Sequence, residues 1–208
     1  MIKRTLLLLF LLWSVNSYAQ EIQVEKENLF VNNIDSIIQP WLDYYKLDFG
    51  NFMIFESGVI QGFSVTVESF NPENNIYFPF YKYSPDSLTI LDLFSYSSVL
   101  EKDEDGNLVY SGGEVDSEVS IQKLDTNIWK RILFVGPWSL IEDGFWISNT
   151  KLVILGEEIH YEVGIQPIIW SIDLEKNFVS LFEYKDIITD IQADYLDNTF
   201  FKNIKIKE

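Results

Sequence analysis

Residues 143–185 read DGFWISNTKLVILGEEIHYEVGIQPIIWSIDLEKNFVSLFEYK, and four short strands stand out in them: GFWIS, KLVILGE, PIIWSID and NFVSLFEY. Their apolar residues are mostly β-branched or aromatic. The breaks fall on Ser148-Asn149-Thr150, Gly164 and Glu175-Lys176-Asn177, the punctuation that antiparallel strands and hairpins require. The rest of the chain is expected to be arranged around this meander.

Working upstream, EVSIQKL and IWKRILFVG form a strand pair across Asp125-Thr126-Asn127, and Gly136-Pro137 closes that unit. Asp105-Gly106, set between LTILDLFSY and LVYSG beyond a charged run, is the strongest short hairpin signal in the chain. IYFPFYKY (76–83) alternates, but Pro79 makes it an edge or bent strand. NFMIFES and VIQGFSVTVESF predict a further hairpin that turns at Ser57-Gly58.

The period changes to 3.6 only before residue 50. Ile34, Ile37, Ile38, Trp41, Leu42 and Tyr45 stack on one helical face, with Asn33 as a candidate cap and Ser36, Gln39 and Asp43 on the opposite face. Pro40 interrupts this pattern, so the helix either kinks there or begins again. Covering one face of a sheet is its expected role, with a partner-binding helix as the alternative. In the tail, Ile187, Ile188, Ile191, Tyr195 and Leu196 suit a short helix, and FKNIKIK an exposed edge strand.

Two turns repeat. Leu124-Asp125-Thr126-Asn127 and Leu174-Glu175-Lys176-Asn177 each join two short apolar strands, and Ile128, Ile132 and Phe134 match Phe178, Phe182 and Tyr184. In these residues the chain resembles β-propeller blades. YSPDSLTILDL is similar to the entry strands of a WD40-like or TolB-like blade, and IIWSIDLEKNFVSLFEY to the exit strands, so the likeness spans about residues 83–184. A closed propeller needs at least four blades, more than the remaining residues can supply. The resemblance therefore implies at most an open pair of blade-like sheets. The fold class expected is mainly β: antiparallel meander sheets, blade-like or sandwich-like, with one N-terminal amphipathic helix and a possible short C-terminal helix.

Residues 1–19 read as a signal peptide. Lys3 and Arg4 precede an apolar run from Leu6 to Trp13, and Ser17-Tyr18-Ala19 supplies small residues at the cleavage positions. Retention as a membrane anchor is the alternative. Residues 20–208 are then a single domain, exported to the periplasm or the extracellular medium and free of the membrane once the leader is cut. The chain has no cysteine, and so neither a disulfide nor the lipid-bearing cysteine of a bacterial lipoprotein. It also lacks an N-x-Ser/Thr acceptor, which fits a bacterial exported protein. With 32 Asp+Glu against 15 Lys+Arg, the net charge of −17 argues against nucleic acid and anionic membranes, whose phosphates demand clustered cations.

Little catalytic chemistry is on offer. His160 is the only histidine, and the serines lack the G-x-S-x-G setting of a nucleophile. No catalytic residue is assigned, and His160, following Glu157-Glu158 at a strand end, reads as an ordinary loop residue. One His without Cys cannot build a typical zinc site. Glu101, Asp103, Asp105, Gly106 and Asn107 mimic the start of a calcium loop, but Gly112 stands where its closing glutamate belongs, so a hairpin tip is expected and no metal. No dinucleotide or phosphate-loop pattern occurs and no cofactor is expected. Glu142-Asp143, Glu157-Glu158 and Glu183 could furnish a carboxylate pair, though among so many acids that signal has no specificity. The aromatics are more informative. Trp146 and Trp170 lie inside strands and suit the core, whereas Trp129 and Trp138 are the candidate ligand contacts, Trp138 in a loop being the better placed for exposure. The function expected is a non-catalytic binding or interaction module with a protein or glycan partner. The alternatives are a carboxylate-based glycan hydrolase and an acidic inhibitor or immunity-type protein.

Overall fold

The computed structural model describes residues 34–60, 65–67, 75–189 and 195–206. The expected leader and the other segments of the chain lie outside these residues. Two compact units, residues 1–49 and 50–208, are separated by contact density.

The first unit contributes α1 (Ile34–Tyr45), which continues through Pro40 as one helix. Its apolar face follows the 3.6-residue period, with Ile34, Ile38, Trp41 and Leu42 buried and Gln39 exposed, the latter bonded to Asp43 one turn on.

The second unit is mainly β, as its alternating pattern requires. Four consecutive strands, β9 (Ser139–Trp146), β10 (Lys151–His160), β11 (Gly164–Asp173) and β12 (Phe178–Tyr184), form an antiparallel meander, and β1 (Phe52–Val59) adds to its β12 edge. A second sheet runs β3 (Lys82–Tyr83), β4 (Thr89–Asp92), β7 (Ser117–Lys123), β8 (Ile128–Val135), with β2 (Val65–Val67) added to its β8 edge. The two sheets thus share one plan, a four-strand meander extended on its last strand by a strand from the N-terminal side. Between β4 and β7 the second meander is interrupted by the hairpin β5 (Val99–Lys102) and β6 (Leu108–Gly112), turning at Asp105-Gly106. Gly106 has φ +84° there, a value that favours glycine. The chain ends in a short helix α2 (Tyr195–Asn198) and β13 (Lys205–Ile206), which pairs in parallel with β6.

The repeated turns are the same device. Each closes a pair five residues apart, Lys123 with Ile128 and Asp173 with Phe178, and each places its asparagine, Asn127 or Asn177, at φ 54°. Asparagine tolerates this left-handed backbone better than most residues.

Three expectations are corrected. Ser57-Gly58 is not a turn: β1 runs straight through it, opposite Ser180 and Val179, and β1 and β2 pair with different sheets. IYFPFYKY is largely a 3-10 turn at Phe78–Phe80, because Pro79 has the fixed φ that starts such a turn and no N–H for a ladder, which leaves only β3 as strand. Ile188 belongs to a β-bridge with Ile165 rather than to a helix.

A single apolar core is shared by the two sheets: Leu91, Val119, Ile121 and Ile132 from one meet Ile141, Leu152, Ile154, Ile168, Trp170 and Ile172 from the other, with Leu196, Phe200 and Ile204 closing it. With no disulfide to help, this burial is the main source of stability. Among the described residues no helix is long and apolar enough to cross a membrane.

Candidate functional site

The site is built on the face of the second sheet turned away from the shared core, and a β-bulge lies at its border. Val119 opposes Leu133 and Ser120 opposes Arg131, so Ile132 is an extra residue on β8. Ile132 points into the core and is 1% exposed. In an uninterrupted strand Arg131 and Phe134 would face opposite sides. The bulge puts both on the outer face, where the Arg131 guanidinium lies 4.9 Å from the Phe134 ring and 5.9 Å from that of Tyr96.

Across the ladder from Arg131 stand Ser120 and then Asp92, and the neighbouring row holds Thr66, Trp129, Gln122 and Ile90. The 75–81 connection folds over this face and leaves a cleft of about 290 Å³, lined by Tyr77, Tyr81, Trp129, Asp92, Glu118 and Arg131 among others. Tyr81 and Trp129 meet edge to face at 6.1 Å, and the Tyr81 hydroxyl accepts a hydrogen bond from Asn75 at 3.0 Å. Tyr77 is held by its hydroxyl, which donates to the carbonyl of Ser98 at 2.5 Å and accepts from the N–H of Leu100 at 3.2 Å.

Two acids and one base line the cleft. Glu118 is matched by Arg131, whose Nε donates at 2.6 Å, and accepts the Ser120 hydroxyl at 2.6 Å. Asp92 is buried, and desolvation raises its pKa above the usual carboxylate range against the opposing hydrogen bonds from Ser95 and Phe94; the charge of Glu118 pushes the same way. Burial, then the Asp92 charge, likewise raises the Tyr81 phenol. In a chain of net charge −17, this lining holds one ion pair and one carboxyl biased toward its neutral form.

The candidate contacts separate. Trp129 lines the cleft and is partly exposed, while Trp138 lies three residues beyond the far end of β8, itself roughly 20 Å of extended chain from Trp129, and is 57% exposed. Trp170 is buried in the core, and Trp146 packs against it. His160 ends β10 rather than lying in a loop, with Nε2 3.0 Å from Gln166 Oε1.

The acids singled out by sequence fall in separate settings. Glu142 is buried at a bulge of β9, Asp143 pairs with Lys82, and Glu157 is buried in β10. Glu183 is raised by burial and then by the Glu158 charge, which His160 partly offsets. Asp103, at the expected hairpin tip, accepts hydrogen bonds from Asn107, from the N–H of Asp105 and from Lys205, and these bonds hold it at about 2. Asp92, Glu118 and Arg131 were not legible as site residues, since the strand pairing that sets Asp92 and Arg131 on either side of Ser120 has no sequence sign.

No protein-family model matches the chain, no curated protein matches it, and no solved structure matches its fold.

Proposed function

We propose that the chain is an exported, non-catalytic binding module whose cleft on the second sheet takes a neutral polar ligand of saccharide type. One observation carries this reading: an indole and two phenols line a cleft in which Arg131 is already paired with Glu118. A sugar ring presents an apolar C–H face that stacks on an aromatic ring, and hydroxyls that need both donors and acceptors. Trp129 and Tyr81 supply the first, and Asn75, Thr66, Glu118 and Arg131 the second. A cationic ligand would need a free carboxylate facing it, and Glu118 is paired with Arg131 while Asp92 is turned to Phe94 and Ser95 by its hydrogen bonds. The volume lies at the small end of ligand pockets, suited to one or two sugar units.

Hydrolysis draws less support from the same residues. Asp92 accepts the N–H groups of Phe94 and Ser95 and the Ser95 hydroxyl, so its carboxyl is turned to its own strand end, and Glu118 is held by Ser120 and Arg131.

The test is titration of the full chain with a panel of mono- and disaccharides, followed by tryptophan fluorescence and calorimetry. At least one sugar is expected to bind saturably, with Trp129→Ala weakening it about tenfold or more and Trp138→Ala leaving it unchanged. Absence of binding across the panel, or indifference to Trp129→Ala, defeats the proposal.

A further inference from the structure

Trp138 belongs to a second surface. The N–H of Ile159 donates to the carbonyl of Trp138 at 2.7 Å, Ile159 stands opposite Ile165, and Ile165 bridges Ile188. Directly opposed residues project from the same face of a sheet, so Ile159, Ile165 and Ile188 form an apolar row across the end of the first sheet, and the turn carrying Trp138 is tied to the Ile159 end of it. Ile165 is buried beneath its neighbours, while Trp138 and Ile159 are open to solvent. The turn joining β10 to β11 adds Tyr161 at 74% and Val163 at 53% exposure, and Ile187 is exposed beside Ile188. Single apolar residues on a surface need no explanation, but five at one sheet end mark a contact surface. Two exposed carboxylates flank it, Glu162 in the turn and Asp186 after β12, while Glu158 and Glu183 lie on the other face of the sheet. The basic groups on these segments are His160, bonded to Gln166, and Lys185, 3.9 Å from Asp186.

We propose that this sheet end docks a protein partner whose contact surface is an apolar centre ringed by lysine and arginine. Charge decides between occupants. A second copy meeting the patch across a two-fold axis would bring Glu162 and Asp186 toward their own counterparts, and an anionic bilayer would be repelled in the same way. A cation-ringed apolar surface covers the row and neutralises its rim, and the net charge of −17 draws such a partner in from a distance.

The experiment uses the full chain and a labelled peptide of about fifteen alternating leucines and lysines, with a serine-lysine and a leucine-glutamate peptide as counterparts. The leucine-lysine peptide is expected to bind saturably and alter Trp138 emission. Trp138→Ser or Tyr161→Ser weakens it about tenfold, and Glu162→Gln weakens it and flattens its salt dependence. Val115→Ser, an exposed apolar site outside this patch, leaves binding unchanged, and thermal melts show that all four variants fold. The proposal is overturned if the serine-lysine or leucine-glutamate peptide binds as tightly, or if Trp138→Ser and Tyr161→Ser bind like the parent. It is overturned equally if Trp138 instead mediates binding to phosphatidylcholine vesicles, or a dimer in sedimentation velocity that Trp138→Ser abolishes.

Discussion

Trp146 Nε1 donates a hydrogen bond of 2.9 Å to the main-chain carbonyl of Lys82, and through it β9 of one sheet is tied to β3 of the other. The Lys82 ammonium completes the seam by pairing with Asp143 and lying 4.1 Å from the centre of the Phe145 ring. Trp146→Phe keeps an aromatic ring but removes the donor, leaving that carbonyl without its indole partner. The expected loss is about 1–3 kcal/mol, read as a lower midpoint in urea with an unchanged slope. An unaltered midpoint would mean that the seam contributes nothing.

Two glycines of the first sheet should differ in what they tolerate. A Cβ at Gly156 would lie 2.1 Å from the carbonyl oxygen of Leu140, which is backbone and cannot yield. At Gly144 the nearest atoms, 2.8 Å or more away, are the methyl ends of Ile154, Leu93 and Leu91, which can rotate. Gly156→Ala is therefore expected to cost about 2–3 kcal/mol and Gly144→Ala less. Equal losses in chemical denaturation would refute the distinction.

Asp92 should leave a signature in stability against pH. Its carboxyl is raised in the fold by burial, so folding favours the protonated acid. At pH below the unfolded value of 3.8 both states hold the proton and nothing is lost. As pH rises past that value the unfolded chain releases its proton first, and stability falls until the folded carboxyl ionises too. Asp92→Asn keeps an acceptor for the N–H groups of Phe94 and Ser95 but cannot ionise. Relative to the parent it should gain stability steadily from pH 4 upward, and a difference that does not vary with pH would show that the carboxyl is not raised.

The paired turns allow a cleaner comparison of backbone with side chain. Asn127 and Asn177 share φ 54°, but only Asn177 also uses its amide, donating to the carbonyl of Ile60 at 3.1 Å. Asn127→Gly is expected to be neutral or slightly stabilising and Asn127→Ala to cost about 1 kcal/mol, since alanine resists this backbone. Asn177→Gly should cost about 1 kcal/mol for the lost bond. Thermal melts of the three variants check the order.

The strands of residues 143–185, both repeated turns and the Asp105-Gly106 hairpin were legible because their signals are local: alternation, branching and a residue that tolerates positive φ. The partners of β1 and β2 were not. Ser57-Gly58 has the composition of a turn, yet its fate is decided by Ser180, fully buried and opposite Ser57 more than 120 positions along the chain. Burial of α1 on one face followed its period, whereas Pro40 gave a false break, because the rest of the helix supplies enough hydrogen bonds to continue past it. For the cleft, the aromatic Trp129 was readable by type. Its polar companions were not, since Asp92, Ser120 and Arg131 meet only through the pairing of three strands, which the sequence does not reveal.

The attachment of β1 to β12 has a consequence for biogenesis. Phe52 meets Tyr184, so one border of the first sheet cannot close until residues 178–184 have emerged, and loop closure over such a span is slow. A ribosome-bound nascent chain stopped short of Phe178 would leave β1 without its β12 partner, its N–H and C=O groups unpaired on that border.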